Sequence, residues 1–165
     1  MCDVLSDHVA VSYLASRIKG RLSMHPGSKL EANVKQAVPF FGVTNMEQSL
    51  RFYVDGLGFQ MKKKWIDEGI LRWCWLELGE TALMLQEYRK EFVPQGKLGE
   101  GVSICFICKD ALAIYREVTA RGRQARRPFV GNGMWVTSVS DPDGYRIEFE
   151  SYTDVAEDTE FNEAE

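Results

Sequence analysis

Histidine is nearly missing from this chain. There are two, His8 and His25, and none between residues 37 and 152. An iron centre of two histidines and one carboxylate therefore cannot be built in that span. Long apolar runs are missing too: none approaches the ~20 residues that cross a bilayer, so no membrane partner is expected. No unbroken apolar core follows a basic start, so no signal peptide is expected, and the expected location is cytoplasmic. An excess of positive charge is also lacking. The net charge is −4, and the last twelve residues, Asp154 to Glu165, hold six acids and no base, which leaves the remainder at +2. A nearly neutral body with an acidic tail, expected to be a solvated end, argues against nucleic-acid binding by bulk electrostatics. Cysteines are few: Cys2, Cys74, Cys105 and Cys108. The last two resemble a CxxC pair but lie in the apolar run Val102–Cys108. Strand residues three apart point to opposite faces, so the pair can neither share a metal nor bond easily, and free thiols in a reducing compartment are expected.

What is present centres on Ser140 to Tyr152. Asp141-Pro142-Asp143-Gly144 is a turn with a mechanism: proline presets φ, aspartates bond nearby backbone N–H groups, and glycine tolerates positive φ. Beyond it, Tyr145, Ile147 and Phe149 alternate with Arg146, Glu148 and Glu150, which makes a strand with one oily and one charged face. Glu148, mid-strand, is either solvated surface or the floor of a site.

Residues 1–36 read as an N-terminal extension, flexible or a short helix on Val9, Val11, Leu14 and Ile18 that Met24 to Ser28 would break. Ala37–Thr44 reads as a strand, with Pro39 pointing to an edge. Asn45 and Gln48 form a capping box for a helix carrying Leu50, Tyr53, Val54 and Leu57 and stopped by Gly58. Strands at Phe59–Trp65, Ile70–Leu78 and Thr81–Tyr88 follow. After a loop rich in breakers the order begins again: a strand at Val102–Cys108, a helix capped by Asp110 and ended at Gly122, and strands at Gln124–Phe129, Met134–Ser140 and Tyr145–Tyr152. Asn45 aligns with Asp110, Gly58 with Gly122 and Tyr88 with Tyr152, an offset of about 64 residues that marks an internal repeat. The expected fold is α+β, two βαβββ repeats (37–88 and 102–152) forming a curled mixed sheet around a cleft, with 153–165 as an acidic tail.

The stretches Val43–Phe59 (strand end, cap, Phe-Tyr and Leu-Gly-Phe) and Asp141–Phe149 (turn and glutamate strand) resemble the vicinal-oxygen-chelate superfamily. That superfamily includes glyoxalase I, bleomycin-resistance proteins and extradiol dioxygenases. Fold alone does not fix chemistry. In its metal-using branches the first and last strands of each repeat supply the ligands. Carried over by position, these fall on Glu148, Met84, Val38 and Ser103 (or Val102), so a single usual ligand remains. The resemblance thus implies a bleomycin-resistance-like branch with no metal and no cofactor.

Strand alternation groups Glu148 with Arg146 and Glu150, Met84 with Gln86, Val38 with Phe40, and Ser103 with Cys105. This mostly apolar set suits a small-molecule pocket. Trp73 and Trp75 share a strand face, and Trp135 lies on a comparable strand of the second repeat; such rings stack on planar or cationic ligands or else close a core. Three functions stay open. One is a metal-free binder of a small aromatic or amphipathic molecule; another is a glyoxalase- or lyase-type enzyme with Glu148 as general base or metal ligand. The third is a dimeric interaction module without a ligand. The resemblance implies a homodimer in each case.

Overall fold

In the computed structural model, residues 33–163 are described; the expected N-terminal helix, both histidines and Cys2 lie outside them. The strands are β1 Phe40–Val43, β2 Gln60–Asp67, β3 Ile70–Leu78, β4 Thr81–Glu87, β5 Ser103–Ile107, β6 Phe129–Gly131, β7 Met134–Ser140 and β8 Arg146–Tyr152. Two four-stranded sheets result, ordered β1-β4-β3-β2 and β5-β8-β7-β6. Each has one parallel pair, β1 with β4 and β5 with β8, and antiparallel pairs elsewhere. The two orders match position for position, which is the duplicated βαβββ unit. Pro39 stands just outside β1, and β1 is an edge strand, as its missing N–H favours.

Helix α1 begins at Met46–Leu50 and widens over Arg51–Gly56, where Leu57 N–H reaches back to Phe52 O at 3.0 Å. Asn45 Oδ1 accepts the Gln48 N–H at 3.0 Å, and Glu87 adds a second cap by accepting the Met46 N–H at 2.8 Å. Helix α2, Ala111–Ala120, is built alike. Asp110 accepts from Ala113 N–H at 2.9 Å, and Ser151 accepts from Ala111 N–H at 3.0 Å. These acceptors satisfy donors that a helix start otherwise leaves orphaned.

One face of each sheet is covered. Phe41, Val43, Cys74, Leu76, Leu83 and Leu85 of the first sheet and Phe106, Val139, Ile147 and Phe149 of the second join a single core with Phe52, Tyr53, Leu57, Phe59 and Val118. The rings of Phe41 and Tyr145 stack at 4.2 Å between centroids, and Phe59 meets Phe106 edge to face at 5.9 Å, so the repeats share that core.

Two expectations are corrected. The strand placed at Gln124–Phe129 forms instead at Phe129–Gly131. Pro128 has no N–H for a ladder, and before it only the Arg126 N–H reaches the neighbouring strand, at Ser138 O. The acidic tail is not a frayed end as far as Phe161. Thr159 O accepts from Val130 N–H, Phe161 N–H donates to Pro128 O, and the Phe161 ring packs edge-on to Tyr115 and Trp135.

Candidate functional site

The other face of each sheet carries most of the residues singled out in the sequence, and cross-strand register fixes which of them are neighbours. On the first sheet, one row runs Lys63, Trp75, Met84, Phe40; the next runs Trp65, Trp73, Gln86, Gly42. On the second sheet, Ser138, Glu148 and Cys105 form a row, flanked by Ser140, Arg146, Ser103 and by Val136, Glu150, Ile107. Trp73 and Trp75 do share the face of Met84 and Gln86, and Arg146, Glu148 and Glu150 share that of Ser103 and Cys105. Val38 lies just before β1, half-buried.

Trp135 does not join them. It stands opposite Ser151, on the helix-covered face, with its ring 6.1 Å from Phe161. Alternation along β7 sends Val136 and Ser138, not Trp135, to the side of Glu148. Trp135 therefore serves the packing of the tail.

Glu148 is mostly buried, its side chain 17% exposed. One carboxylate oxygen accepts from the Ser103 hydroxyl and from the Cys105 thiol at 3.6 Å; the other faces Arg146 Nε at 3.6 Å. A buried charge persists only when so partnered. The packing of the sulfur against the sheet, then the hydrogen bond and charge of Glu150 and the charge of Glu148, push the Cys105 thiol up to about 11. It is therefore a protonated donor at neutral pH. Cys108, three residues on, points into the core side, and neither cysteine is bonded to another.

Donor atoms of Cys105, Glu148 and Glu150 lie within 4.8 Å of one another. As a metal site the set fits poorly. The third member is a soft thiol beside two hard carboxylates, and the position matching Glu148 in the first repeat is the thioether of Met84. Two carboxylates on one sheet then remain as hard donors, fewer than a divalent ion in an enzyme usually finds.

The first sheet has its own polar anchors. Trp75 Nε1–H donates to Glu77 at 2.8 Å, and Lys63 Nζ lies 5.3 Å from the Trp75 ring centre. Trp65 and Gln86 line a cavity of about 340 Å³ with Arg72, Tyr88 and Phe92. Tyr88 is a residue that the sequence reading missed. A methyl group on Gly42 would come within 2.3 Å of its ring, so the phenol lies directly over that glycine. A glycine inside a strand is the signal that could have found it.

The sequence from residue 35 to 149 matches the family model described as Glyoxalase/Bleomycin resistance protein/Dioxygenase superfamily. The chain belongs to this superfamily. Solved structures share the superfamily fold. TioX from Micromonospora sp. ML1 is 18% identical over 72% of this chain and 99% of its own, with a TM-score of 0.58. A bleomycin resistance determinant encoded on the transposon Tn5 is 21% identical over 74% and 100%, with a TM-score of 0.58. TnmS3, an antibiotic binding protein from Streptomyces sp. CB03234, is 21% identical over 73% and 98%, with a TM-score of 0.56. No protein of curated function matches the sequence significantly. Glu148 and Met84 hold equivalent places in the two repeats, opposite Cys105 and Phe40 respectively. No described helix is long and apolar enough to cross a membrane.

Proposed function

We propose that the protein binds a small aromatic or amphipathic molecule carrying a cationic group, without a metal, in a cleft that a second copy of the chain completes. The observation that carries this reading is the contrast between the two open sheet faces. One bears Trp65, Trp73 and Trp75 in adjacent cross-strand positions; the other bears Glu148 and Glu150. Indoles supply stacking surface and carboxylates supply a counter-charge, a combination that suits a planar cation. The likeness to proteins described as a bleomycin resistance determinant and an antibiotic binding protein supports the same class of ligand. Pairing of two chains is supported by apolar side chains left open on these faces: Phe40 is 55% exposed, Ile107 59% and Tyr152 81%.

The test is a thermal-shift and calorimetric screen with planar aromatic cations and glycopeptides, on protein whose mass in solution is measured alongside. Stabilisation by such ligands that is lost in Trp73→Ala and in Glu148→Gln is the expected result. A screen with no stabilising ligand, or cleft variants that bind like the parent, would sink it.

The Cys105, Glu148, Glu150 cluster favours a second reading, a glyoxalase- or lyase-type enzyme that uses Glu148. A stoichiometric ion in protein purified without chelators, together with turnover abolished in Glu148→Gln, would select it.

A further inference from the structure

We propose that the cavity between the end of α1 and the side of α2 is a second binding site, distinct from the open faces, and that it takes a single-ring phenol. The cavity measures about 410 Å³ and is walled by Leu57, Leu78, Phe106, Ile114, Val118 and Phe149. Arg121 and Glu117, paired with each other, also line it.

The fold contains this place twice, and the second copy is full. Phe41 and Phe106 each stand four residues before a helix cap, Gly42 and Ile107 three before it, and Tyr53 and Val118 eight after it. Phe41 pairs with Leu85 and Phe106 with Phe149; four residues before these lie Thr81 and Tyr145. In one seam the Tyr145 ring stacks on Phe41 at 4.2 Å, its hydroxyl donates to Gly42 O at 3.1 Å, and Tyr53 fills the space behind. In the other, Thr81 replaces Tyr145 and Val118 replaces Tyr53. Thr81 also turns its hydroxyl onto Leu78 O at 2.8 Å. Two phenol side chains are thus exchanged for two small ones, and the cavity lies where they would have been.

The filled seam states what the empty one would accept. A free phenol stacked on Phe106, in the role Phe41 plays for Tyr145, brings its hydroxyl to Ile107 O. That carbonyl matches Gly42 O on the outer edge of β5, because the neighbouring Cys108 turns its N–H inward to Glu150 O at 2.8 Å. Walls that are mainly aliphatic and aromatic carbon, with Arg121 and Glu117 already paired to each other and the Ile107 carbonyl as acceptor, suit a neutral ring with a single donor, and the volume is within the range of small-molecule pockets, roughly 300–1,000 Å³.

Cys108 lines the same cavity and reports on its occupancy. The full chain carrying Cys2→Ser and Cys105→Ser keeps Cys108 beside the wholly buried Cys74, and alkylation of Cys108 by N-ethylmaleimide at alkaline pH is followed by mass spectrometry. p-Cresol, the tyrosine side chain as a free molecule, is expected to slow the reaction saturably. Toluene should protect with about five- to tenfold weaker affinity, the worth of one neutral hydrogen bond. Thr81→Tyr, which restores the ring on a tether, should protect Cys108 without added ligand and abolish the effect of p-cresol. The proposal is overturned if p-cresol gives no protection up to its solubility limit, or if toluene protects equally well. It is also overturned if a folded Thr81→Tyr chain still responds to p-cresol. The measurement on the chain without Thr81→Tyr stands by itself if that variant does not fold.

Discussion

The Tyr53 hydroxyl donates to Asp141 Oδ2 at 3.0 Å across a separation of 88 residues, inside the core. The other Asp141 oxygen accepts the N–H groups of Asp143 and Tyr145, both at 2.9 Å. The turn is thereby tied to α1 of the other repeat, and Asp143 extends the clamp by accepting from the Thr44 N–H and hydroxyl. Burial raises Asp141 above the usual carboxylate value, and the three hydrogen bonds hold part of that rise down. A raised value means that the group favours the folded state at low pH and that this contribution is lost as pH rises through it. Removing the phenol raises it further. Tyr53→Phe is therefore expected to cost about 1.5–3 kcal/mol at neutral pH, as for a hydrogen bond to a charged acceptor, and less in acid where Asp141 is protonated. Urea denaturation at several pH values checks this; a cost that stays flat or grows toward acid would contradict it.

Gly99 lies against the same turn. Its N–H donates to Asp143 O at 3.1 Å, and a methyl group there would sit 2.0 Å from the Gly144 carbonyl carbon and the Tyr145 nitrogen. Backbone atoms cannot swing aside as a side-chain tip can. Gly99→Ala should destabilise by about 1–3 kcal/mol or more, the range for overpacking. Alanine at Gly69, where nothing lies within 4 Å, meets no such clash and is strained only by its positive φ. Comparing the two melting temperatures separates contact from backbone strain.

These contacts also mark how far the sequence could be read. Local signals were legible: both caps, the turn at Asp141 and the alternation along β8 all appear where spacing put them. The succession of elements in each half was legible from the repeat, whereas the order of strands within each sheet came from the structure. Long-range pairings were not legible. Tyr53 looked like one member of a helical stripe, and nothing nearby in the sequence shows that its hydroxyl meets a turn 88 residues on. Trp135 was grouped with the other tryptophans by residue type, whereas its parity along β7 sends it under the tail. The tail itself read as solvated because its six acids dominate its composition, and Phe161 was outweighed.

Phe161 anchors that tail. Its ring meets Tyr115 at 5.9 Å and Trp135 at 6.1 Å between centroids, and Arg116 sits 5.1 Å over it. The residue is half-buried, so Phe161→Ala should cost less than the ~3–5 kcal/mol of a fully buried ring, about 1–3 kcal/mol. Faster amide exchange at Val130, whose N–H the tail accepts at Thr159 O, is the local signature. Unchanged exchange there would mean that the tail is held by its backbone alone.

Cys105 supplies a chemical readout of the carboxylates beside it. Its thiol, pushed up to about 11, should alkylate far more slowly at pH 8 than a free cysteine, because only the thiolate reacts. Packing against the sheet is the largest cause, with Glu150 next and Glu148 after it. Replacing either acid by a neutral amide removes a charge that opposes ionisation, so the thiol value falls and the rate at a fixed pH below it rises, tenfold for each unit. Glu150→Gln should accelerate the reaction more than Glu148→Gln, and neither should reach the rate of a free thiol, since the packing is intact in both. Rate–pH profiles of the parent and both variants, with Cys2 and Cys108 replaced by serine, give the order directly. Equal rates in all three would mean that the acids do not act on the sulfur.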